Sequence, residues 1–148
     1  MEATLLWTLR QLYHSLERQG RQSMRELELS LGQAIVLCWL LSQKGECVCA
    51  ADLHKALGLS KSALSSTLKE LQAKQYLLTV ETPEDDRKKR LVLTSRAFAN
   101  ESDLWSALRE QQQRLCGDIP AQRLDQLERD LEAMLQRMKR LWKQEECV

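Results

Sequence analysis

Apolar residues recur at helical spacing along most of the chain. Leu5, Leu9, Leu12 and Leu16 step by four, three and four residues, with Trp7 and Tyr13 close by. This predicts an amphipathic helix from Thr4 towards Leu29, frayed or bent at Gly20. Ser30 to Gly32 introduce Ala34 to Leu41, apolar almost throughout, and therefore a buried helix that Lys44 and Gly45 end. The alternation at Cys47, Val48 and Cys49 predicts a short strand. A helix follows over Ala50 to Leu57 and breaks at Gly58, and Ser60 is placed to cap the next, Lys61 to about Gln75. In that helix Leu64, Leu68 and Leu71 face the core. Tyr76 to Val80 and Arg90 to Leu93 are rich in β-formers and predict two strands, joined by a loop holding Pro83 and a run of charges. After Ser95 the pattern is helical to about Cys116, breaks at Gly117 to Pro120, and resumes from Ala121 to near Glu146. Leu124, Leu127, Leu131, Met134, Met138 and Leu141 then form a coiled-coil-like stripe that needs a partner surface.

A length of 148 residues with 43% hydrophobic content fits one domain of ordinary size with a real core. The net charge of +1 says little, but its distribution is uneven. Ser60 to Arg96 carries eight Lys or Arg against five Asp or Glu, a local +3, whereas Ala97 to Val148 carries eight against ten, a local −2. No run reaches the roughly 18 apolar residues of a membrane span, and the N-terminus lacks a basic n-region and a small-residue cleavage site. The expectation is a cytoplasmic protein without membrane contact. Five cysteines, Cys38, Cys47, Cys49, Cys116 and Cys147, are odd in number and fit no disulfide framework, in keeping with a reducing compartment.

The charge run has a definite place in this order of elements. Asp85 to Thr94 reads DDRKKRLVLT, in which Arg87, Lys88, Lys89 and Arg90 precede an apolar strand. Upstream, the helix starting after Ser60 leaves Lys61, Ser62, Ser65, Ser66 and Lys69 on faces away from its leucines. Cations and hydroxyls of this kind contact phosphates and base edges, and a helix-turn-helix followed by a basic hairpin is a winged helix. The predicted fold is mainly α, of the α+β kind: a winged helix-turn-helix over about 32–96, flanked by helices over about 1–29 and 97–148, all in a single domain over 1–148.

This arrangement resembles the multiple-antibiotic-resistance regulator (MarR) family. The residues that carry the likeness are Asp85, Arg87, Leu93 and Thr94 in the wing and Leu53, Leu57, Gly58, Leu59, Ser60 and Leu71 in the helix-turn-helix. The resemblance implies a homodimer whose first and last helices interleave, and a ligand- or redox-responsive repressor that binds a pseudo-palindromic double-stranded DNA operator. It implies a DNA-contacting set of Ser60, Lys61, Ser62, Ser65, Ser66, Lys69, Arg87, Lys88, Lys89 and Arg90, with Arg87 reaching the minor groove and Asp85 stabilising the wing. A small-molecule effector would sit between the dimer helices and the winged module. Two positions depart from the pattern: Gln75 stands where many relatives have a glycine, and Ser66 where they have an arginine. Serines discriminate between bases less than an arginine gripping guanine, so phosphate contacts would carry much of the affinity.

A second reading stays open, a winged-helix protein-interaction module without sequence-specific DNA binding, because the chain is nearly neutral overall. An enzyme is not expected, since no glycine-rich phosphate loop, nucleophile elbow or HExxH is present. Cys49 falls at the N-cap of the helix Ala50 to Leu57, where backbone N–H groups would stabilise a thiolate. Cys47, two residues away on the strand, would share its face. Cys47 and Cys49 are thus candidate redox residues, set against a reading as inert thiols. With no second Cys or His pair to complete a ligand set, no metal and no cofactor are expected. His14 and His54 are isolated, and Cys38 reads as a small core residue.

Overall fold

In the computed structural model the backbone is described over residues 2–82 and 85–146, and side chains over 2–82 and 88–143. Pro83, the side chains of Asp85 and Arg87, and Cys147 lie outside the described residues. The elements are α1 (Thr4–Ser23), a 3-10 turn (Arg25–Leu27), α2 (Leu31–Ser42), β1 (Val48–Cys49), α3 (Ala50–Leu57), α4 (Lys61–Ala73), β2 (Leu77–Thr82), β3 (Asp85–Leu93), α5 (Ser95–Ala99), α6 (Glu101–Cys116) and α7 (Ala121–Glu146). The chain divides between Gln111 and Gln112 into two compact units.

The first unit is built around α2. Its start is fixed by a capping box: Ser30 Oγ accepts from the Gln33 backbone N–H, and the Gln33 side chain accepts from the Ser30 N–H, each at 3.1 Å. Ala34, Val36, Leu37, Cys38, Leu40 and Leu41 are all buried, so this helix is surrounded by protein on most sides. Leu64, Leu68 and Leu71 of α4, Leu53 of α3, Tyr76 and Leu77 join the same core. Each buried leucine of this kind stabilises the fold by roughly 1.5–3 kcal/mol.

The first helix is shorter than its pattern predicts. It ends at Ser23, and the chain tightens into the 3-10 turn, which closes with Glu28 in the left-handed region at φ 58°. That turn puts Met24, Leu27 and Leu29 into the core, which continued helix could not do with all three. Gly20 does not fray α1. It is buried within the helix because Leu31 lies against it, and a Cβ at this position would stand 2.6 Å from Leu31 Cβ.

The three strands form an antiparallel sheet in the order β1-β3-β2. Leu77 pairs with Leu93, Thr79 with Leu91 and Glu81 with Lys89, after which the register shifts and Thr82 pairs with Asp85. The charge run is therefore part of strand β3, not of a connecting loop as predicted. β3 is long because it pairs with β2 on one edge and with β1, through Leu91 and Arg90, on the other. The predicted helix after Ser95 is two helices. Thr94 caps the first by accepting from Ala97 N–H, and Asn100 separates them, its side chain donating to Arg96 O at 2.8 Å.

In the second unit α7 is a 26-residue amphipathic helix. Leu127, Leu131, Met134, Met138 and Leu141 of its predicted stripe are exposed.

Two substitutions should shift stability in opposite directions. Gly20→Ala improves helix propensity, yet the fixed Leu31 Cβ makes overpacking win, and a loss of about 1–3 kcal/mol is expected. Gln75, at φ 63°, holds a conformation that costs L-residues more than glycine, so Gln75→Gly should gain about 1 kcal/mol. Urea denaturation midpoints measure both.

Candidate nucleic-acid interface

The helix α4 has two chemically distinct faces. Leu64, Leu68 and Leu71 are buried, while Lys61, Ser62, Ser65, Ser66 and Lys69 are exposed. Gly58, at φ 65°, closes α3, and its N–H donates to His54 O. The His54 ring meets the Leu59 carbonyl, which as an acceptor requires Nδ1 to carry the proton. Ser60 then opens α4 by accepting from Ala63 N–H at 3.2 Å, and its hydroxyl also lies 3.3 Å from Ser62 Oγ. The turn between the two helices is thus held by local hydrogen bonds at both ends.

A groove of about 590 Å³ runs between α3, α4 and the sheet. Lys61, Ser65 and Lys69 line it from α4, Lys88 and Lys89 from β3, and Cys49 from the start of α3. Five of the predicted contact residues, four of them cations, therefore meet in one concavity. Ser62 and Ser66 are exposed on the same helix outside this groove. Arg90 lines a separate, smaller groove with Leu93 and Phe98. Glu81 opposes Lys89 across the sheet, an opposite-charge pairing that supports the wing.

The far end of α4 is anchored by side chains of which the sequence reading singled out only Thr94, as part of the wing pattern. Arg96 Nη1 donates to Lys74 O at 2.5 Å and its guanidinium stacks 4.5 Å from the centre of the Tyr76 ring. Glu28 lies 3.7 Å from the same guanidinium. Thr94 Oγ1 donates to Gln75 O at 2.6 Å, and the buried Tyr76 hydroxyl donates to Leu27 O at 3.0 Å. The serine and glutamine of the Ser30–Gln33 box were a readable signal here, since that spacing marks a helix start.

The cysteines differ from expectation in geometry. Cys47 precedes the two-residue strand and lines a different concavity, with Trp39 and Glu46, so it does not share a face with Cys49. Cys49 does cap α3, but its backbone N–H and its thiol both donate to the Asp52 carboxylate, at 2.9 and 3.2 Å. The backbone hydrogen bond from Cys49, followed by that from its thiol, holds the Asp52 carboxyl below its usual range. Burial, with a smaller contribution from Glu101, pushes the Cys38 thiol up to about 11. Among the described residues no group of three or more His, Cys, Asp or Glu could hold a metal ion, and no helix is long and apolar enough to cross a membrane.

This order of helices around a three-stranded sheet, with the basic strand beside α4, coincides with a family model. Residues 27–88 match the MarR family. The segment is a MarR-family winged helix. Known structures extend the likeness beyond the matched segment. The S. aureus MepR–DNA complex is 21% identical, with a TM-score of 0.83 over 93% of this chain and 99% of that one. A mutant MarR from E. coli complexed with operator DNA is 22% identical, with a TM-score of 0.78 over 90% and 94%. Bordetella bronchiseptica BpsR, whose DNA binding is regulated by 6-hydroxynicotinic acid, is 22% identical, with a TM-score of 0.76 over 90% and 92%. At these identities the likeness establishes the fold. No curated protein sequence matches the chain.

In this MarR-family module the exposed Cys47 should react first with a thiol reagent at neutral pH. Cys38, protected by burial and by its raised pKa, should react only as the protein unfolds. Timed alkylation followed by peptide mass analysis reads the order directly.

Proposed function

We propose that the protein is a dimeric, sequence-specific DNA-binding transcriptional regulator, acting as a ligand- or redox-responsive repressor on a pseudo-palindromic operator. The observation that carries this reading is the meeting of Lys61, Ser65 and Lys69 of α4 with Lys88 and Lys89 of β3 in one concavity. Cations on a helix and on an adjacent wing are spaced to follow a duplex, the helix in the major groove and the wing along the neighbouring phosphates. The fold of proteins solved with DNA, MepR and MarR, supports the same use of α4.

The dimer is supported by what α1 and α7 leave uncovered. Leu5, Leu6, Trp7 and Tyr13 of α1 are exposed, as are Leu131, Met138 and Trp142 of α7, and Trp7 reaches 70%. Stripes of this extent suit association with a second copy. Two copies would present two α4 helices to successive turns of the operator. A small effector is supported by BpsR, and a redox input by the exposed Cys47 and the half-buried Cys49. A second reading, a protein-interaction module, is favoured by one feature: Leu78, Val80 and Phe98 are exposed on or beside the sheet.

Selection of duplexes from a random library by the reduced protein tests the proposal. An enriched inverted repeat is expected, and absence of any enriched sequence at low salt would move the protein-interaction reading to first place. Loss of enrichment after mild peroxide, prevented by Cys47→Ser or Cys49→Ser, is the outcome expected of a redox input. On the selected duplex Arg87→Ala should weaken binding several-fold and lower the salt slope by about one. Unchanged affinity would remove Arg87 from the interface.

A further inference from the structure

We propose that Gln33 is a positioning residue for DNA recognition, fixing the angle of α4 from beneath through Glu70 and Lys74. Its side chain is only 4% exposed, one of two buried polar side chains among the described residues. From α2 it reaches Glu70 in the last turn of α4 and Lys74 at its C-cap, one turn apart. Nε2 donates to Glu70 Oε2, and Oε1 accepts from Lys74 Nζ at 2.9 Å and from the Ser30 N–H at 3.1 Å.

The partners leave only one orientation of the amide. Oε1 faces two donors and Nε2 faces a carboxylate, so turning the amide over would set donor against donor and acceptor against acceptor. Two of the three bonds involve charged groups in a half-buried site, the stronger kind of hydrogen bond. A capping box requires only the bond to Ser30; the other two bonds belong to α4. Hydrophobic burial is non-directional, so the leucine stripe by itself defines the rotation and axial position of a helix less sharply than directional bonds do. Directional bonds to positions 70 and 74 define both the rotation and the axial position of α4. The exposed face bearing Ser62, Ser65, Ser66 and Lys69 is aimed by that choice.

The functional half of this inference rests on the DNA-binding reading, so two measurements are paired. Amide hydrogen exchange without DNA is compared for the unaltered protein, Gln33→Met, Gln33→Glu, and Gln33→Glu combined with Glu70→Gln. Gln33→Met keeps the volume and loses the polar bonds. Gln33→Glu sets two carboxylates together, and the double variant exchanges amide and carboxylate and restores the pairing. Exchange across the last turn of α4 and Tyr76 should quicken about tenfold in both single Gln33 variants, with α2 still protected, and return in the double variant. Affinity for the selected duplex should fall and return in parallel, about tenfold, with the salt slope unchanged because no phosphate contact is lost.

A double variant no better than Gln33→Glu in exchange would overturn the latch, and it decides the matter even if Gln33→Met fails to fold. Restored exchange with affinity the same in all variants would overturn the role in recognition. If the unaltered protein binds no duplex, the DNA-binding reading fails by itself and the exchange comparison still decides whether Gln33 holds α4.

Discussion

The helix α4 must be core and surface at once, and most of the structure follows from that demand. With 3.6 residues per turn, thirteen residues provide one apolar stripe and one polar face. Leu64, Leu68 and Leu71 fill the stripe and are buried against α2 and its neighbours. The opposite face holds only lysines and serines at its centre. A helix used in this way gains nothing from packing on its outer side, so its position is set by the inner stripe and its two ends. The N-terminal end is held by Ser60 and by the His54 contact to Leu59, both local in sequence. The C-terminal end is held by Gln33 of α2 and by Arg96 of α5 with its N-cap Thr94.

Those two ends differ in how legible they were. Ser60, Gly58 and the leucine spacing are local signals, and the helix-turn-helix lies where they predict it. So do α7 and the breaks at Lys44, Gly45 and Gly117. The bonds at the C-terminal end join residues between 19 and 41 positions apart, and no spacing rule reports such pairs. The same limit explains the wing. The charges of Asp85 to Arg90 look like a loop because cations are poor β-formers. Pairing with two neighbouring strands decides the conformation instead, as tertiary context does for strands generally. The first helix failed for a related reason: its apolar pattern continues to Leu29, but burying Met24, Leu27 and Leu29 together needs a tighter turn than an α-helix provides.

Charge placement links this framework to the proposed role. The chain is almost neutral, yet Lys61, Lys69, Lys88 and Lys89 surround one groove, so a local field exists that the net charge conceals. With serines rather than arginine at the centre of α4, the proposed recognition would draw most of its attraction from phosphate contacts, and the serines would select weakly. Two modules on one duplex would compensate, since linked half-sites raise specificity that a single module lacks. The exposed stripes on α1 and α7 would be the means of linking them in the proposed dimer.

Hydroxyl-radical footprinting of the reduced protein on its selected duplex tests the central claim most directly. The account predicts two protected stretches related by two-fold symmetry and about one helical turn apart, each with sugars shielded where the wing lies beside the major-groove entry of α4. A duplex with no protected stretch, or uniform weak protection that vanishes as salt rises, would contradict sequence-specific recognition by this winged helix.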